Sequence, residues 1–308
     1  MGSMLGPICA FTSSVTWAIG SAQYSKYSNT YSAFRVNFNR ALLTLPFFVI
    51  TVFLMAGSVK GGLEAYSALR PEHFAWFLLS VVSSYALGDA FFLWSTLSLG
   101  VPGALAIASC YPILNALFAV FFEGTDLNLH QWGGLVLSIF GIIIVVLNQP
   151  KHHLKITNAD AAQKAKSKTL GILFATLTAF AWSLNSISVA KAARDLDAGV
   201  GNTVRMAFAI ILCMVFGRLI GKETMRPLPT KALNSLGLII ILESFVGCYF
   251  FVYGLSHSDL VLASILTSLA PVISVPVSVI LKLEAFSWKR TAGVIAVVLG
   301  LVFLTGAI

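Results

Sequence analysis

Cut at its polar, glycine and proline punctuation, the chain separates into ten apolar stretches, most of them near the roughly 20 residues that a helix needs to cross a hydrocarbon core. They run from Leu5 to Tyr24, Val36 to Gly57, Phe74 to Leu97, Val101 to Phe122, Leu129 to Leu147, Leu170 to Ala190, Val200 to Ile220, Leu233 to Leu255, Leu260 to Leu281 and Trp288 to Ile308. Nothing else in the sequence constrains the fold so strongly. In lipid every backbone amide and carbonyl must find its partner inside the protein, and a helix achieves this within its own segment. The expectation is an all-α membrane protein with ten transmembrane helices.

Composition agrees and closes the other classes. Hydrophobic residues make up 57% of the 308 and charged residues only 10%, which leaves too little polar surface for a soluble fold, disorder, collagen or a coiled coil. The net charge of +8 would suit nucleic acid, yet the basic residues sit in short loops between apolar runs, as membrane topology requires. No nucleic-acid partner is expected. Cys9, Cys110, Cys213 and Cys248 all fall within apolar stretches without Cys-x-x-Cys spacing, so they read as small core residues rather than a metal site or disulfide framework. Most connections are too short to hold an extramembrane catalytic domain. The first stretch carries Thr12, Ser13, Ser14 and Thr16 and lacks a basic leader and an Ala-x-Ala cleavage context, so it reads as a spanning helix and not a signal peptide.

The longest polar segment, Asn148 to Thr169, is lysine-rich and lies at the middle of the chain. It divides two copies of one pattern. A shift of about 165 residues lays Leu5, Gly6, Ala10, Trp17, Ser21 and Lys26 onto Leu170, Gly171, Ala175, Trp182, Ser186 and Lys191, and carries Asn37 and Arg40 onto Asn202 and Arg205. A shift of about 159 matches Gly88, Phe91, Phe92, Ala104, Ser109 and Pro112 with Gly247, Phe250, Phe251, Ala263, Ser268 and Pro271, and Gly141 with Gly300. Matched Trp, Lys, Asn, Arg and Pro do not arise from shared apolar composition alone. The expected organisation is a first five-helix repeat over residues 1–148, a linker over 149–169 and a second five-helix repeat over 170–308. Five spans per half reverse the second half in the membrane, an inverted repeat associated with alternating-access transporters.

The combination of Trp182 followed by Asn185 and Lys191, Arg40 followed by Pro46, and Gly/Ser-rich fourth and ninth stretches with Pro112 and Pro271 resembles the EamA-type transporters of the drug/metabolite transporter superfamily. The resemblance covers essentially the whole chain and implies ten helices as five plus five, with both termini cytoplasmic. One departure concerns Gly20, which stands where the second half has Asn185.

Ionisable residues inside apolar runs cost about 2.5–3.5 kcal/mol each on insertion scales and are functional candidates by default. Arg40, Asp89, Arg205 and Glu243 qualify. Asn37 and Asn202 lie one turn before the arginines on the same helix face. Two readings stay open: the arginines pair with Asp89 and Glu243 to fix packing, or they line a cavity and receive a substrate carboxylate or phosphate. The acids do not repeat, since Asp89 maps onto Cys248 and Glu243 onto Ser84. They are candidates for coupling a proton to transport. Pro112 and Pro271 fall about mid-span, where a proline frees a carbonyl that lipid cannot satisfy, so they are candidate hinges, with Ser109, Tyr111, Asn115, Thr267 and Ser268 around them. Trp17 and Trp182 sit too deep for an interfacial belt. With Tyr85, Phe92, Trp94, Tyr249 and Tyr253 they suit the apolar body of a substrate or plain packing. Gly133, Gly134, Gly141, Gly293 and Gly300 read as close-approach positions.

No Gly-x-Ser-x-Gly, His-Glu-x-x-His, Walker or dinucleotide motif occurs, and His152 and His153 read as solvated loop residues. No catalytic residue, metal or cofactor is expected. Lysine and arginine crowd the side of the central linker, which the positive-inside rule makes cytoplasmic, opposite to what the resemblance implies. The expected protein is a multi-pass transporter of the plasma (inner) membrane, a monomer or weak homo-oligomer in the lipid bilayer. Its substrate would be a small organic metabolite, an amino acid or related anionic or zwitterionic compound. An integral-membrane enzyme on a lipid-linked substrate and a non-transporting scaffold are the alternatives.

Overall fold

A computed structural model describes residues 4–27, 30–124, 126–148, 158–280 and 286–304. Every regular element among them is helical: α1 (Leu5–Tyr27), α2 (Ala33–Met55), α3 (Val59–Ser67), α4 (Pro71–Val81), α5 (Gly88–Ala108), α6 (Tyr111–Glu123), α7 (Leu129–Leu147), α8 (Asn158–Ala192), α9 (Ala198–Leu219), α10 (Thr230–Ile240), α11 (Cys248–Ser256), α12 (Leu260–Thr267), α13 (Ala270–Ile280) and α14 (Trp288–Leu304). Two π-helical segments, Val82–Ala86 and Ile241–Gly247, join α4 to α5 and α10 to α11.

Six of the described helical stretches are long and apolar enough to cross a membrane: Ala33–Met55, Pro71–Phe122, Lys168–Ala192, Ala198–Leu219, Thr230–Ser256 and Leu260–Val277. The chain is thus a multi-pass membrane protein. Its burial pattern is that of a fold solvated by lipid. Leu54, Phe122, Val136 and Leu238 face outward, while Asn37, Arg40, Asp89, Asn115, Asn202, Arg205 and Glu243 are buried. Helix α1 is not among the six because Ser13, Ser14, Thr16 and Ser21 dilute its hydropathy, and all four are buried inside the bundle.

Local chemistry sets the ends of these helices. Ser32, Ser58, Asn128, Asp197 and Asp259 cap α2, α3, α7, α9 and α12 by accepting from first-turn amides. Gly100 has φ 68° and ψ 169° and splits α5 into 88–99 and 101–108. Only a residue without Cβ takes that left-handed conformation cheaply.

The segment assigned as linker, 149–169, is helical from Asn158, its Ala, Gln and Lys residues being strong helix formers; residues 149–157 lie outside the described residues. The connection after α2 contains a short helix, α3, seated by Gly62 on the Phe53 ring. One expectation needs correction. Pro112 and Pro271 do not kink continuous helices. The fourth and ninth stretches break at Ser109–Cys110 and Ser268–Leu269, and each proline occupies the first turn of the next helix, α6 or α13. A proline there removes no intrahelical bond, since first-turn amides have no partner in the helix.

Packing does not follow chain order. Helix α2 packs on α9 and α7 on α14, but α1 packs on α11, α12, α13 and the segment Ile241–Gly247, while α8 packs on α4, α5 and α6. The first helix of each half thus leaves its own half for the other. Matched glycines make both exchanges possible: a Cβ on Gly6 would lie 2.6 Å from the His257 carbonyl oxygen, and one on Gly171 would lie 3.0 Å from Leu99 Cγ. Likewise a Cβ on Gly141 would meet the Gly293 carbonyl oxygen at 2.6 Å, and one on Gly300 the Gly134 carbonyl oxygen at 2.5 Å. At one end of the bundle Arg35 and Asn39 bind the carbonyls of Arg226 and Pro227, and Ser32 bonds Glu223. At another, Tyr66 bonds Thr203 and Arg70 pairs with Asp195.

Candidate cavity between two buried arginines

A cavity of about 90 Å³ opens where α1, α2, α5, α8, α9 and the two π-helical segments converge. Both π segments stand at matched positions of the two halves, and each widens a helix turn just where it meets the cavity. Val82–Ala86 presents Ser84 and Tyr85, while Ile241–Gly247 presents Glu243 and Gly247. Trp17, Tyr111, Trp182 and Phe251 form the aromatic wall. The Trp17 and Trp182 rings meet edge to face at 5.5 Å, and Tyr111 meets Trp182 in the same way at 6.4 Å.

The two arginines of the cavity live in different electrostatic surroundings. Arg40 is held by two carboxylates, Nη1 with Asp89 Oδ2 at 2.6 Å and Nη2 with Glu243 Oε1 at 2.9 Å. Its Nε donates to Ser244 Oγ at 2.8 Å and Nη1 also donates to Asn37 Oδ1 at 2.7 Å. The faces of Trp17, Tyr24 and Tyr85 surround the guanidinium at 4.8–5.4 Å. The acids are fastened in turn. Tyr24 Oη donates to Glu243 Oε2 at 2.8 Å, and Trp182 Nε1 donates to Asp89 Oδ1 at 3.3 Å.

Arg205 is equally buried, with 2% of its surface exposed, yet no carboxylate pairs with it among the described residues. Its Nε donates to Ser80 Oγ at 2.9 Å, Nη1 to Asn202 Oδ1 at 3.1 Å and Nη2 to Asn185 Oδ1 at 3.3 Å. The Phe251 ring lies 5.7 Å away. Leaving a guanidinium buried without counter-charge is expensive, and that makes Arg205 the outstanding feature of the site.

Of the residues singled out from sequence, Trp17, Arg40, Tyr85, Asp89, Tyr111, Trp182, Asn185, Arg205 and Glu243 line the cavity, as do Ser109 and Thr267. Asn37, Asn202, Asn115 and Tyr249, also expected there, are not among its lining residues. Asn37 and Asn202 are turned to their arginines and to the carbonyls of Tyr85 and Cys248. Asn115 is consumed by Ser183, Ser186 and Ser264, and Tyr249 packs into the apolar core beside Phe77 and Val204. Sequence reasoning missed Ser13, Ser84, Gly247, Cys248 and Phe251 as lining residues. The match of Phe251 to Phe92 was the available signal. The others are small residues: Ser13 lies on α1, and Ser84, Gly247 and Cys248 lie in or next to the π turns. No group of three or more metal-binding side chains occurs among the described residues, and His152 and His153 lie outside them.

Comparison with known proteins bears on what such a cavity serves. Residues 4–147 and 169–306 match the EamA-like transporter family. An uncharacterized transporter from Archaeoglobus fulgidus is 22% identical over 301 residues, covering 98% of both chains. A crystal structure superposes with a TM-score of 0.67 at 16% identity, covering 97% of this chain and 96% of that one, a likeness of fold alone.

Proposed function

Because this chain belongs to the EamA-like transporter family, we propose that it is a secondary transporter which carries a small amino acid or related zwitterion through the central cavity by alternating access. The observation that carries the substrate reading is Arg205. A guanidinium has five N–H donors, and the three contacts of Arg205 leave one N–H on each terminal nitrogen. That pair matches the fork of a carboxylate, whose two oxygens accept in parallel. Arg40, Arg205, Asp89 and Glu243 sum to zero charge, and a zwitterion leaves that sum unchanged during passage. Trp17, Trp182 and Phe251 offer an apolar wall for the body of the substrate.

Support for alternating access comes from the two stretches matched by the family, from the repeated residues, and from the exchanged packing of α1 and α8. In this reading ten spans form two inverted sets of five, and the rocking bodies are the packed groups α1 with α10–α13 and α8 with α4–α6 rather than the halves in chain order. Asp89 and Glu243, the carboxylates of the cavity wall, are the groups through which a proton would couple.

Counterflow in proteoliposomes tests the reading. Saturable exchange is expected for amino acids and not for the corresponding amines lacking a carboxylate. An enzyme or scaffold would give no exchange at all, and equal exchange of amines would end the assignment to Arg205. Coupling is read by imposing a pH gradient: unchanged responses in both Asp89→Asn and Glu243→Gln would remove the proton from the cycle. Thiol labelling of the linker in sealed cells decides between the two orientations.

A further inference from the structure

Resting on the anion-site reading of Arg205, we infer that two matched pairs of residues determine which arginine is open to substrate: Gly20 with Glu243 closes Arg40, and Asn185 with Ser84 leaves Arg205 available. Gly20 matches Asn185, and Ser84 matches Glu243. In both sites the same nitrogen is contacted, but by the opposite member of the pair. Nη2 of Arg40 takes the Glu243 carboxylate at 2.9 Å, whereas Nη2 of Arg205 takes the Asn185 amide oxygen at 3.3 Å.

The two choices exclude one another sterically. A Cβ on Gly20 would lie 2.5 Å from Glu243 Cγ and 2.9 Å from Glu243 Cβ, so any side chain at residue 20 displaces the acid. The second half uses the opposite combination, with a side chain at 185 and the short Ser84 where a glutamate would stand. The remaining partner follows the same logic, because Asp89 matches Cys248, a thiol that lines the cavity instead of a second carboxylate. Asn185 also keeps its amide nitrogen without a hydrogen bond among the described residues, giving the carboxylate a third donor beside the free N–H groups of Arg205. The two halves thus use one scaffold for different ends. One arginine is satisfied internally, and the other awaits an external anion.

The test transplants the pair that closes Arg40 into the second half and reads the arginines directly. Purified protein in detergent is treated briefly with methylglyoxal, a small arginine reagent, and modification is mapped by mass spectrometry. In the wild type Arg205 is expected to react about tenfold faster than Arg40, whose nitrogens are covered by carboxylates. The double variant Ser84→Glu with Asn185→Gly should bring Arg205 down to the Arg40 rate and abolish amino-acid counterflow. Glu243→Gln, which keeps the volume and loses only the charge, should raise Arg40 reactivity even if the double variant does not fold. Equal reactivity of the two arginines in the wild type overturns the inference, as does an unchanged Arg205 rate in a folded double variant. If the Arg205 rate falls as expected while counterflow persists, the switch stands and the substrate reading of Arg205 falls.

Discussion

Arg40 and Arg205 occupy matched positions, share an asparagine one turn earlier and are both almost fully buried, yet among the described residues one is an ion-pair hub and the other has no carboxylate partner. The difference places an ion-paired cation and, among the described residues, one without a carboxylate partner in the same cavity. At Arg40 the attraction of two carboxylates offsets the cost of burying all three groups, provided every partner stays in place. At Arg205, among the described residues, the desolvation cost is met by neutral oxygens and the Phe251 ring. In the proposed function the carboxylate of the cargo supplies the missing charge.

The largest expected effect lies on the structural side. Arg40→Leu should destabilise the protein by about 3–5 kcal/mol, because Asp89 and Glu243 are left as uncompensated buried anions. Thermal unfolding in detergent measures it, and adding Asp89→Asn and Glu243→Gln should recover most of the loss. A stable Arg40→Leu protein would erase the contrast between the sites. Next comes Arg205→Gln, expected to lower counterflow about 10–100-fold, in line with the ~1.5–3 kcal/mol of a hydrogen bond to a charged group. Its melting temperature should stay close to wild type, since no acid loses a partner. Smaller still is Trp182→Phe, which keeps the aromatic wall and removes the N–H that fastens Asp89. A stability loss of about 1 kcal/mol is expected. At the bottom stands Arg70→Ala, whose pairs with Glu72 and Asp195 are more than half exposed. A change below about 0.5 kcal/mol is expected, and a larger one would mean that this end of the bundle carries more of the stability than its solvent-screened contacts imply.

Much of the candidate site was legible in the sequence because charge inside an apolar run is rare and expensive. Arg40, Asp89, Arg205 and Glu243 stand out on that ground alone, and all four reach one cavity. The deep tryptophans were legible for a similar reason, since they lie too far from either interface. What could not be read was the pairing. Both arginines looked alike in sequence, and either could have taken the acids. Asn37 and Asn202 looked like ligand-binding groups, but a short amide one turn from an arginine reaches the guanidinium first. At the prolines the sequence marks a helix interruption without telling whether the helix bends or restarts, and here it restarts.

From the sequence alone came the membrane, the helical class, the matched residues of the two halves and the short list of buried charges. Each follows from solvation or from self-comparison, and neither depends on which helix meets which. Tertiary structure decided the exchange of α1 and α8, the π turns that aim Tyr85 and Glu243 inward, and the assignment of both carboxylates to one arginine. Those outcomes rest on distances of a few ångströms between segments far apart in the chain, such as the contact of Gly20 with Glu243, and no local pattern of residues encodes them.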